Sequence, residues 1–156
     1  MAGRGLVALP LLAAILAYLV NPRWMVWASY PAPPWSRWGG VALGLATVPM
    51  AYWVFRSLGR NVSETVLTKE HHELVTHGPY RWVRHPLYAN GIALLFAIGV
   101  MAANWLMLLL TLIALLAIRL VIVPVEEREL LAKFGAAYRA YMGRTGGLWP
   151  PLRARR

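Results

Sequence analysis

Residues 86–123 read PLYANGIALLFAIGVMAANWLMLLLTLIALLAIRLVIV, a long apolar stretch broken only by Asn90, Asn104 and Arg119. As one straight helix it would extend on the order of 55 Å. The hydrocarbon core of a bilayer is only about 30 Å thick. The stretch must therefore fold back on itself, and Gly99 to Asn104 is the expected turn. It reads as two membrane helices in a tight hairpin.

Upstream, two more apolar runs precede it, Leu6 to Val20 and Gly39 to Leu58. The second is roughly 30 Å long as a helix, about one hydrocarbon core, and Pro49 inside it is expected to bend it. The first resembles the apolar part of a signal peptide, with Arg4 in front, but no clear small-x-small cleavage site follows. It reads as a short first span ending at the helix stop Asn21-Pro22. Between these runs lie Trp24, Trp27, Trp35 and Trp38, whose half-apolar, half-polar indoles suit a membrane–water boundary. Residues 59–85 are polar. Beyond Pro124, Leu130, Leu131, Phe134, Tyr138 and Tyr141 recur at helical spacing among charges over 125–142. They mark an amphipathic helix expected to lie along the membrane surface. The fold class is thus an all-α membrane protein with about four transmembrane helices, a C-terminal hairpin and a cytoplasmic amphipathic helix. It forms a single domain over 1–156, with two N-terminal spans (1–58) and a core (59–151).

Composition agrees. The chain is 59% hydrophobic and 14% charged, against about 25% charged in ordinary soluble domains. Sixteen Lys and Arg face six acidic residues, for a net charge of +10. Such a surface suits nucleic acid or anionic lipid, and the apolar runs decide for lipid. The terminal Arg153, Arg155 and Arg156 suit an anionic leaflet or a solvated tail equally. With four spans, nearly all cations fall on one side. That places both termini in the cytoplasm, at a prokaryotic inner membrane. Asn61-Val62-Ser63 matches a glycosylation sequon but faces the wrong side on this topology. With no cysteine, disulfides, thiolate metal sites and a cysteine nucleophile are excluded. His71, His72 and His77 lack the carboxylates or thiolates that would complete a metal site.

Two clusters carry chemistry. The first is Gly78-Pro79-Tyr80-Arg81-Trp82-Val83-Arg84-His85-Pro86-Leu87-Tyr88. Pro86 pushes His85 out of helical geometry and suits the first position of a helix. Arg84 and His85 thus fall at a helix N-terminus, whose backbone N–H groups favour an anion. The plainer reading has Arg81 and Arg84 reaching for lipid phosphates. The second is Pro124-Val125-Glu126-Glu127-Arg128-Glu129, which holds three of the six acids. Acids in a first helical turn are favoured by the dipole; they could equally accept hydrogen bonds from a ligand. Both clusters fall at one mouth of the hairpin. One offers cations and the other anions, as a zwitterion would need. Arg119, within the last span, is either functional or snorkelling to the boundary. Tyr138 and Tyr141 read as packing residues.

Gly78 to Tyr88, the Glu126-Glu127 pair and the tail Phe134-Gly135-x-x-Tyr138-x-x-Tyr141-x-x-Arg144 with Pro150 resemble the isoprenylcysteine carboxyl methyltransferase and phospholipid methyltransferase family, over about residues 60–151. The resemblance implies S-adenosylmethionine as cofactor, bound at the cytoplasmic face, with S-adenosylhomocysteine as product. Arg84, His85, Tyr88, Glu126 and Glu127 match the family's cofactor positions, and Gly78, Tyr80 and Arg144 match further motif positions. Arg119 and Arg144 stand as candidate catalytic residues. Where the family usually has Gly two residues after the Tyr, this chain has Asn90, with Gly91 next. The implied reaction is direct methyl displacement onto a lipophilic substrate (a carboxylate, amine or thiol), with membrane lipids as surroundings and no nucleic acid. The competing readings are an NADPH-dependent membrane reductase of related architecture and a non-enzymatic membrane scaffold.

Overall fold

The computed structural model describes residues 2–59 and 74–151, with side chains from Leu9 onward. The sequon, His71, His72 and the arginine tail lie outside the described residues. Five α-helices follow one another: α1 (Ala2–Val20), α2 (Pro34–Leu58), α3 (Pro86–Ala102), α4 (Trp105–Ala117) and α5 (Val123–Arg144). Short 3-10 turns occupy Pro22–Ala28 and Gly78–Arg81, and a π-helical turn, Ile118–Ile122, joins α4 to α5.

The expected hairpin is present as α3 and α4. Its turn is made by Ala103, in left-handed conformation at φ 50°, and by Asn104. Asn104 is fully buried. Its Oδ1 caps α4 by accepting from Met107 N at 3.1 Å, and its Nδ2 donates to Met25 O at 3.4 Å. One side chain thus ends the turn, starts the next helix and ties down the loop after α1. Tyr18 and Arg37 both donate to Ala102 O, so the end of α1 and the start of α2 gather at this tip.

α2 packs along α3. It begins at Pro34, five residues before the expected Gly39, because Pro34 suits the first helical turn. A Cβ on Gly40 would lie 2.8 Å from Met101 N and 2.9 Å from Ala97 O. The two backbones therefore approach as closely as small residues permit, a usual device between membrane helices. Four residues on, Gly44 continues the same contact against Ala97.

The outward faces are apolar. Leu19, Leu45, Val48, Leu120 and Val121 are each more than 60% exposed, while Thr47, Ser57, His85, Asn104, Thr111 and Thr145 are buried. This inversion of a soluble protein's pattern needs lipid outside, since exposed apolar area of this extent is costly in water. α2 and the run Trp105–Arg144 are long and apolar enough to cross a membrane; Leu9–Val20 and Pro86–Ala102 are apolar but shorter. Trp24, Trp27, Trp35 and Trp38 are all exposed around the hairpin tip, as boundary residues should be.

The second leg of the hairpin is not a plain α-helix. Pro124 has no N–H to give, and the ladder slips so that Val123 N donates to Ile118 O, five residues back. The slip turns everything after it relative to α4, including Glu126 and Glu127. Residues 125–142 are helical as expected, within α5, but the helix is bent. Gly135 sits at φ 52°, ψ −121°, a conformation essentially reserved for glycine. After that bend the chain returns toward the start of α3, where Tyr138 and Tyr141 are buried.

Candidate functional site

Residues 82–85 run beside residues 146–147. Gly146 N donates to Trp82 O (3.1 Å), Arg84 N to Gly146 O (2.8 Å) and His85 N to Gly147 O (3.1 Å). Only glycine fits at 146, where a Cβ would fall 1.7 Å from Trp149 O. The C-terminal strap therefore holds both residues before Pro86 by their backbones. His85 stands just outside α3 at φ −123°, ψ 58°, and Pro86 takes the first turn, as Pro86 demands.

Thus aimed, the side chains meet the acids of α5. Arg84 Nε lies 2.8 Å from Glu127 Oε1. His85 Nε2 lies 3.3 Å from the same oxygen, and His85 Nδ1 lies 3.5 Å from Glu126 Oε2. Tyr88 donates to Glu126 Oε1 at 3.2 Å, and its ring stacks on His85 with centroids 5.9 Å apart. Arg84 Nη1 also donates to Met142 O and Thr145 O. The cluster is largely shielded from solvent, with side-chain exposures of 6–15%. Burial by itself would push the Glu127 carboxyl up, but hydrogen bonds from His85 and Arg84 outweigh it and hold the group below its ordinary value.

The two clusters therefore do share one end of the hairpin, but not as separate cationic and anionic lobes. They contact each other directly. The backbone N–H groups of Arg84 and His85 are themselves taken by the strap. The anions gathered at the start of α3 are the chain's own carboxylates. The Arg84 guanidinium and the His85 ring thus face the two carboxylates, beside the Tyr88 ring.

Other residues take different places. Gly78, at φ 60°, packs on α2, where a Cβ would come 2.2 Å from Ser57 Oγ. Tyr80 accepts at its carbonyl from Tyr141 Oη (2.6 Å). Burial, then Tyr141 and Glu126, push the Tyr80 phenol up, so its ring lies within reach of the cluster's charge. Arg119 is exposed on the π turn, and Arg144 is exposed 5.9 Å from the Tyr141 ring. Neither bonds to the cluster among the described residues. Arg81 stacks on Trp82 at 3.8 Å. Asn90 donates to Thr47 O at 3.2 Å, tying α3 to α2, while a Cβ on Gly91 would meet open space. The strap glycines were not singled out from sequence; the Gly146-Gly147 doublet just after the tail motif is the signal that could have found them. A separate open cleft of about 420 Å³ lies at the far end, lined by Ala32, Pro34, Arg37, Trp38, Val41 and Met101.

The phospholipid methyltransferase family model matches residues 35–137, which takes in α2, the hairpin and the Glu pair. The chain belongs to this family. Among its relatives, Methanethiol S-methyltransferase 2 of Bradyrhizobium diazoefficiens is 42% identical over 77 residues, covering 49% of this chain and 29% of that protein. Uncharacterized protein YpbQ of Bacillus subtilis is 40% identical over 57 residues, covering 36% of this chain and 34% of its own length. These matches span about a third of each relative. Family membership and the apolar exterior make this a membrane protein of a methyltransferase family.

Proposed function

We propose that the protein transfers a methyl group from S-adenosylmethionine to a lipophilic acceptor at the charged end of the hairpin. The observation that carries this reading is the assembly of Arg84, His85, Tyr88, Glu126 and Glu127 into one shielded cluster in a chain of this family. When bound, S-adenosylmethionine supplies a methyl group on a sulfonium, which the acceptor takes as S-adenosylhomocysteine leaves. The residues present fit such a ligand. The Glu126 and Glu127 carboxylates attract a cation, and the Tyr88 ring stands beside them. Arg84 is the brace of the site: it fixes Glu127 and the end of α5, so that the carboxylates stay in place. Positioning is the main demand of such a transfer and contributes up to about 7–11 kcal/mol where reactants are well aligned. Shielding from water strengthens every charge contact in the cluster.

The acceptor is a carboxylate, amine or thiol reached from the lipid side. The name of the Bradyrhizobium relative puts thiols first among those to test. The cation asymmetry of the sequence supports a cytoplasmic site with both termini on that side of an inner membrane. Titration calorimetry on the purified protein tests the donor. Heat with S-adenosylhomocysteine and none with NADPH is expected. Heat with NADPH alone points to a reductase, and silence with both to a scaffold. A methyl-transfer screen with labelled donor against lipophilic thiols, acids and amines then finds the acceptor.

A further inference from the structure

Tyr138 and Tyr141 are neighbours on the returning half of α5, with ring centroids 5.9 Å apart, and both are almost fully buried. Their hydroxyls differ. Tyr141 Oη donates to Tyr80 O. Tyr138 Oη has no hydrogen-bond partner among the described residues, although Tyr138 is only 1% exposed. A buried hydroxyl is normally satisfied, so an unsatisfied one calls for a reason.

Its place in the helix supplies one. Met142 is one helical turn after Tyr138, and Thr145 follows the helix in extended conformation. The carbonyls of Met142 and Thr145 receive Arg84 Nη1. Tyr138 thus belongs to the half-helix whose end Arg84 holds, and its phenol lies within electrostatic reach of Arg84. Burial pushes its phenol up, Glu127, Tyr141 and Glu126 add to this and Arg84 opposes it, so that the group stays protonated and donates.

We propose that Tyr138 is a ligand-contacting residue of the site, its hydroxyl donating to an oxygen of the bound S-adenosyl molecule. The inference rests on the function proposed above. It also meets a need of the cluster. Arg84 spends Nε and Nη1 on the protein itself, Tyr88 donates to Glu126, and the two carboxylates repel an oxygen anion. A neutral phenol supplies a donor without adding charge.

Tyr138→Phe in the full-length protein tests it. Removing an unpaired hydroxyl from the folded state should leave the ligand-free Tm unchanged or raised. Affinity for S-adenosylhomocysteine, measured by calorimetry, should fall about tenfold, the loss typical of a buried hydrogen bond. Tyr141→Phe is the contrast, since its hydroxyl is engaged within the protein; there the ligand-free Tm should fall. Wild-type affinity in Tyr138→Phe overturns the assignment while leaving the proposed function standing. A lowered ligand-free Tm, or failure to fold, in Tyr138→Phe overturns it too, because the hydroxyl then serves the fold. Wild-type protein that does not bind S-adenosylhomocysteine overturns the function and this assignment together.

Discussion

Glu127 is the residue on which the site turns, because one carboxylate oxygen faces both Arg84 Nε and His85 Nε2. Glu127→Gln keeps the shape and removes the charge. We expect S-adenosylhomocysteine affinity to drop about tenfold or more, equivalent to about 1.4 kcal/mol, and calorimetry reads this directly. Glu127→Ala should do more, since it leaves a largely shielded guanidinium without its partner. His85→Ala should also weaken binding. Gly146→Ala acts from a distance. Its Cβ would overlap the Trp149 carbonyl at 1.7 Å, so the strap must move. We expect a stability loss of about 1–3 kcal/mol, seen as a lower Tm, together with weakened ligand binding.

At the scale of elements, the two interruptions of the second hairpin leg decide where the acids and tyrosines point. Gly135→Ala places a side chain at φ 52°, ψ −121°, a region that costs about 1–3 kcal/mol for other residues. The helix should straighten and draw Tyr138, Tyr141 and Met142 away from Arg84. A fall in both Tm and ligand affinity checks this. At the other end, Asn104→Ala removes the α4 cap and the tie to Met25 O. We expect a loss of about 1–2 kcal/mol with ligand affinity unchanged, since the turn lies a full helix length from the cluster. The hairpin itself was legible in residues 86–123, because length against bilayer thickness forces a turn. The convergence of Arg84-His85 with Glu126-Glu127 followed from that turn. The π turn and the bend at Gly135 were not legible in detail: a proline and a glycine announce a departure from the helix but not its direction. Nor was the strap, because backbone pairing between residues some sixty positions apart leaves no periodic trace in side-chain pattern. The direct contacts between the two charge clusters were likewise not legible in side-chain pattern.

For the whole molecule, the network implies a definite response to acid. Glu127 titrates below its ordinary 4.5 in the folded protein. A group whose carboxyl is lowered by folding contributes stability above the unfolded value, and that contribution fades as pH falls through the folded value. The Tm should therefore stay level from neutrality toward pH 4.5 and decline below it. In Glu127→Gln the decline should be shallower, and scanning calorimetry across that range distinguishes the two. The apolar exterior and the tryptophan-rich tip set the molecule across lipid, with its ion pairs at the opposite end from Trp24, Trp27, Trp35 and Trp38.

The pairing of Trp82–His85 with Gly146–Gly147 also sets an order of events during synthesis. A ribosome that has delivered all the apolar helices has still not made the partner that holds Arg84 and His85. Until residue 147 has left the exit tunnel, the nascent chain cannot organise its charged end. The charged end is therefore organised only after both legs of the hairpin have been made.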